Sequence, residues 1–208
     1  TVEAETAVNG DTASASVDNS TVTAAIEQAK KDADVEDGTE VAVNTVTISA
    51  KTNTTGVTSS QVTLDQKAVE TLAEAKETVI ETDVGTVSLP QEVLAGNSEK
   101  PLTLVVDKKE TSSAPESAQV KASFDVTLES NGTEVGVKNL TDPITLKFNI
   151  GTSVSGKPTM AYWDPIAKLI KKIASSVYDS TSGLITGKIT HLTEIVVVEE
   201  DQISDIEE

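Results

Sequence analysis

A single histidine, His191, stands two residues before the hydroxyl of Thr193 in the run Thr190-His191-Leu192-Thr193. That spacing suits a peptide bond that cuts itself. The Thr193 hydroxyl would attack the Leu192 carbonyl and turn the amide into an ester by an N-to-O acyl shift. Such a step needs a base for the hydroxyl proton, here His191, and a strained scissile amide held in a tight turn. The plainer reading is that His191 ends one strand, hydrogen-bonds a neighbouring turn, and leaves Thr193 to start the next strand. On sequence alone both stand.

Trp163 is the only tryptophan and follows Tyr162 directly. Together the two rings could stack on the apolar face of a sugar. Strand alternation, however, sends neighbouring side chains to opposite faces, which favours Trp163 as a core anchor. The acidic run from Asp32 to Gly38 resembles a calcium loop. Its glycine comes one residue late and Val43 stands where the closing glutamate belongs, so Asp37-Gly38 as a helix stop is preferred. No phosphate loop, dinucleotide fingerprint, histidine cluster or Gly-x-Ser-x-Gly elbow is present. No metal and no cofactor is therefore expected. A carboxylate pair for glycoside hydrolysis could hide among 34 acids, but no feature points to one.

Composition narrows the partners. The net charge is −18, and all 16 basic residues are lysine. Without arginine's planar fork, and with a repelling field, nucleic acid and anionic membranes are poor partners. Cysteine is absent, so there is no disulfide framework and no thiolate chemistry. No apolar run is long enough to span a bilayer, so direct membrane insertion is not expected. No signal peptide is visible, and Thr1 is expected to follow a processing boundary. A cysteine-free, lysine-only, threonine- and valine-rich acidic chain looks like an exported bacterial surface protein. Four Asn-x-Ser/Thr sites, at Asn19, Asn53, Asn131 and Asn139, match what a threonine-rich chain produces by chance.

The elements that would position these residues are mostly strands. Val2, Ala4 and Thr6 alternate, Asn9-Gly10 supplies a turn, and residues 12–17 return as a hairpin. Asp18-Asn19-Ser20 caps a helix whose apolar face is Val22, Ala25, Ile26 and Ala29. Residues 40–50 alternate as a strand, and 51–56 form a polar loop. Residues 61–64 are extended and Asp65 caps a helix faced by Ala68, Val69, Leu72, Ala73 and Ala75. Strands at 78–82 and 85–89 follow, with Pro90 as the first residue of a short helix ending near Gly96-Asn97. Beyond Pro101 the pattern is nearly pure strand, at 102–107, 118–129, 133–137, 144–150, 159–163 and 168–173. The chain closes with residues 178–198 as a β-hairpin, Leu184 to Ile189 returning through His191-Leu192-Thr193 into 195–198.

The expected fold is mainly β with two or three short helices. A β-sandwich fits better than a closed barrel, as one unit or as two β-rich subdomains. The division would be a β-rich subdomain with short helices over 1–100, a sandwich subdomain ending in the hairpin over 101–198, and a solvated acidic tail over 199–208.

Several pieces occur in an order that resembles a β-rich module of Gram-positive cell-surface proteins, of the kind found beside surface-layer-homology repeats. They are Val62-Thr63-Leu64 with its alanine-rich helix, Thr86-Val87-Ser88-Leu89-Pro90 with Leu94-Ala95-Gly96, and Pro143-Ile144-Thr145-Leu146. Tyr162-Trp163-Asp164, Tyr178-Asp179, Ser182-Gly183 and the terminal His191-Leu192-Thr193 complete the series. The ending is also similar to the autoproteolysis site of adhesion-receptor GAIN domains and of ZU5–UPA proteins. The first resemblance implies a non-enzymatic structural or adhesive module on the outside of a Gram-positive cell. Its partners would be cell-wall or surface-layer components, other protein modules or polysaccharide. The second implies cleavage at the Leu192–Thr193 bond, with His191 as base and Thr193 as nucleophile. Carbohydrate binding through Trp163 and Tyr162 is a third expectation.

Overall fold

The computed structural model describes residues 1–32 and 42–203. Its first strands are β1 (Val2–Glu3), β2 (Thr6–Asn9), β3 (Thr12–Val17), β4 (Thr45–Ala50), β5 (Ser59–Leu64), β6 (Glu77–Thr82), β7 (Gly85–Pro90) and β8 (Leu102–Lys109). The remainder are β9 (Ala122–Ser130), β10 (Thr133–Glu134), β11 (Ile144–Asn149), β12 (Pro158–Asp164), β13 (Leu169–Lys172), β14 (Val177–Asp179), β15 (Leu184–Ile189) and β16 (Glu194–Glu199). Three α-helices occur among the described residues: α1 (Asn19–Asp32), α2 (Gln66–Leu72) and α3 (Gln91–Ala95).

These strands make two sheets. The seven-stranded sheet runs β1-β4-β6-β7-β11-β15-β14, and the nine-stranded sheet runs β13-β12-β16-β9-β8-β5-β3-β2, with β10 beside β9. Strand alternation buries one face of most strands: Ala13, Ala15 and Val17 on β3, Phe124, Val126 and Leu128 on β9, Ile144, Leu146 and Phe148 on β11. The two inner faces share one core, in which Phe124 stacks on Phe148 with ring centroids 4.1 Å apart. Burying a phenylalanine contributes roughly 1.5–3 kcal/mol, so this contact joins the sheets with a large share of apolar area. The result is a β-sandwich. Strands from residues 1–100 and 101–198 share both sheets, with β7 paired to β11 and β5 to β8.

The helices gather at one end. Each links the two sheets: β3 to β4 through α1, β5 to β6 through α2, and β7 to β8 through α3. Asp18 caps α1 by accepting from Thr21 N at 2.8 Å, and Asp65 caps α2 by accepting from Ala68 N at 2.7 Å. Thr71 Oγ1 donates to Asn19 Oδ1 at 2.6 Å, tying α2 to α1, while Gln91 Nε2 reaches Ala73 O and ties α3 to α2. Pro90 sits at the cap position one residue ahead of α3, not at its first helical position.

Several other expectations are corrected. The closing segment is not a hairpin. Strand β15 pairs with β11 and β14 in the seven-stranded sheet, whereas β16 pairs with β12 and β9 in the nine-stranded sheet. Residues 190–193 therefore cross between sheets. The physical reason lies in β16, whose Ile195, Val196, Val197 and Val198 are all fully buried. A strand apolar on both faces needs neighbours on either side and cover above and below, which an interior position supplies and a two-stranded ribbon does not. At the start of the chain, β1 pairs with β4 in one sheet while the β2–β3 hairpin belongs to the other, so Val2 and Thr6 do not share a strand.

The strand expected at 118–129 begins only at Ala122, after a short helical turn at Glu116–Ala118. That expected at 133–137 is two residues long. Of the acidic tail, Glu199 ends β16 and Ile203 packs on a small second core, while 204–208 lie outside the described residues. Asp32 is the last residue of α1; the rest of the candidate calcium loop, with the Asp37-Gly38 stop, also lies outside them.

Candidate functional site

The crossing that carries His191 sits at the helical end of the sandwich. Strand β8 starts there and β9 runs back to it, while β16 begins level with Asp125 and Asp107 and runs away from that end. The backbone of the crossing is tied to the irregular segment that follows β10. Leu192 N donates to Val137 O at 3.1 Å, and Leu140 N donates to Thr190 O at 3.2 Å. Glu92 of α3 accepts from Asp142 N at 2.7 Å, which fixes that segment to the helices. Between them lies a cavity of about 330 Å³ lined by Glu134, Val137, Lys138, Asn139, Thr190 and His191, among others.

A chain of contacts holds the imidazole side of the crossing. The His191 ring meets the Tyr162 ring edge-on, with centroids 4.9 Å apart and planes at 79°. Lys171 Nζ lies 5.8 Å from the centre of the same Tyr162 ring and 2.7 Å from Asp164 Oδ2. The Lys171 hydrogen bond, with further donation from the Ala167 and Ile166 amides, brings the Asp164 carboxyl down to about 2. Tyr162 is 8% exposed, so its ring is a fixed wall for His191.

The acyl shift asks for strain at the bond that breaks. Residues 190–193 contain no cis peptide and no residue with positive φ. The strands on either side diverge into separate sheets and do not close a tight turn around Leu192–Thr193. Leu192 is half-buried against the main core and Thr193 is half-buried beside it. In this crossing the histidine is packed on an aromatic ring.

Tyr162 and Trp163 are separated by the pleat. Tyr162 faces the main core between the sheets. Trp163 faces the outer side of the nine-stranded sheet, half-buried against a second small core of Ala118, Ala161, Ile170, Val196 and Val198. They share no face on which a sugar ring could lie.

Sequence reasoning missed one cluster. On the outer face of the nine-stranded sheet, Glu194, Asp125 and Asp107 stand directly opposite one another on β16, β9 and β8. The Glu194 carboxylate accepts from Ser113 N at 2.9 Å and Ser123 Oγ at 2.8 Å. Burial, reinforced by Glu194, Asp107 and Glu134 and opposed by Lys109, pushes the Asp125 carboxyl above its ordinary value. Asp125 and Glu194 are visible as charges beside apolar runs and Asp107 as the first of the charged run Asp107-Lys108-Lys109-Glu110, but the register that aligns them is not. Among the described residues no group of three His, Cys, Asp or Glu side chains is arranged to hold a metal ion.

At the far end β16 is anchored by ion pairs. Glu199 pairs with Lys121 and accepts from Lys157 N at 2.7 Å, and Glu200 pairs with Lys157 and, at 2.5 Å, with Lys172. The lysine contacts lower both carboxyls, that of Glu200 to about 2.

No family model matches the chain, and no curated protein matches it in sequence. Among the described residues no helix is long and apolar enough to cross a membrane.

Proposed function

We propose that this chain is a non-enzymatic structural module, a load-carrying spacer or partner-presenting unit of a bacterial cell-surface protein. One observation carries the reading. The final strand, β16, lies inside its sheet, hydrogen-bonded to β12 along Pro158–Tyr162 and to β9 along Ala122–Asp125. It runs antiparallel to both neighbours, away from the helical end, so a pull on the chain beyond Glu199 runs along the strand. Both ladders would then have to shear together instead of opening one bond at a time. The ion pairs of Glu199 and Glu200 add anchorage where the load enters. The composition supports a place outside the cell: no cysteine, lysine as the only strong base and a net charge of −18. Wall or surface-layer components fit such a surface as partners; polyanions do not.

Single-molecule stretching of the chain between handles at its two ends tests this. The expected trace is one cooperative rupture at high force, lowered when Val196 is replaced by proline to interrupt the β16 ladder. Stepwise peeling at low force, the same in both proteins, would overturn the proposal.

A further inference from the structure

We infer that β2 is a docking edge and that its occupant is β2 of a second copy of this chain, paired antiparallel about a two-fold axis. Each of the other sheet edges is protected. Exposed edges normally carry charge, proline or extreme shortness, because their open N–H and C=O groups invite another strand. Edge β1 is two residues long and carries Glu3; β14 carries Asp179; β13 carries Lys171 and Lys172; β10 is two residues long and carries Glu134. Edge β2, Thr6-Ala7-Val8-Asn9, has neither charge nor proline. In a chain of net charge −18 that neutrality is conspicuous. Ala7, Val8 and Asn9 are exposed, Val8 by 39%.

The register says which groups are open. Asn9 pairs with Thr12 across the Gly10-Asp11 turn, and Gly10 takes the left-handed φ of +65° that such turns need. A two-residue hairpin closes on a hydrogen-bonded pair, so Asn9↔Thr12 and Ala7↔Ser14 exchange their bonds inward. Thr6 and Val8 therefore direct N–H and C=O to the free side. Among the described residues no backbone partner takes these groups.

A second copy fits this pattern in one register. Thr6 N–H would donate to Val8 C=O of the second copy, and Val8 N–H of that copy to Thr6 C=O, each bond made twice by symmetry. Ala7 then faces Ala7 of the second copy on the axis, and Glu5 faces Asn9, so no two like charges are opposed. The chain before Thr6 turns away into the other sheet, where Ala4 N donates to Ser49 O, and so leaves the edge clear. An isologous strand pair of this kind closes on itself and does not propagate into a fibre. Because both partners are strongly acidic, salt screening should strengthen the contact, the reverse of an ion-paired interface.

Sedimentation velocity on the full chain over a concentration series, at low salt and at about 0.5 M salt, is the test. The expected result is a second species of twice 21.7 kDa that grows with concentration and with salt. Val8→Pro removes an outward-facing donor, takes away no hydrogen bond to β3, and should abolish it without changing the far-UV spectrum. Ala7→Lys keeps every donor, sets like charges across the axis, and should weaken association by about tenfold or more. A lone 21.7 kDa species at all concentrations and salts, or a dimer unaffected by either substitution, would overturn the inference.

Discussion

Two places in this molecule look alike in sequence and are built differently. At residues 6–17 two short strands flank a turn, and at 184–199 two others flank a four-residue link. The first is a hairpin: Gly10 adopts φ +65°, and Thr6 to Asn9 lie antiparallel to Thr12 to Ala15. The second is a crossing, in which four residues without a left-handed φ carry the chain from one sheet to the other. What separates them is what the second strand needs. Strand β3 has alternating burial and is satisfied by one covered face. Strand β16 is apolar on both sides and is stable only inside a sheet with a core above and a smaller core below.

The largest effect that could break this contrast lies in β16. Val196 faces the outer core and Val197 the inner one, and both are fully buried. Val196→Asp and Val197→Asp should each destabilise by at least about 3 kcal/mol, because either sets a carboxylate in an apolar site without a partner. Denaturant unfolding measures both. If β16 were half of an exposed ribbon, one of the pair would be nearly silent. A smaller effect sharpens the hairpin side. Gly10→Ala meets no atom within 4 Å, so its cost is backbone strain alone, about 1–2 kcal/mol. The expected fall in thermal midpoint is correspondingly modest, and an unchanged midpoint would mean that the turn is not held by that glycine.

How much could be read in advance follows from the same contrast. Alternation in 12–17, 124–128 and 144–148 identified strands and their inner faces, because one-sided burial has a period of two. Local chemistry also showed through. Asp65, placed ahead of the apolar helix face, caps α2. The partner of β16 was not legible. A continuous apolar run has no period, so the sequence does not say which strands lie beside it. Thr190-His191-Leu192-Thr193 contains neither glycine nor proline to mark a change of sheet. The surroundings of His191 were hidden for a related reason: Tyr162 and Val137, which touch its ring and its neighbour's backbone, are far away in sequence. Trp163 was legible as an anchor through alternation, although the core it anchors is the outer one.

If the crossing is an uncut covalent link, it can carry load from one sheet to the other. The intact mass of the purified protein after prolonged incubation, measured under denaturing conditions, tests this most directly. One species at 21.7 kDa is the predicted result. Two fragments meeting at the Leu192–Thr193 bond, and lost on Thr193→Ala, would contradict it and make the crossing a reactive site.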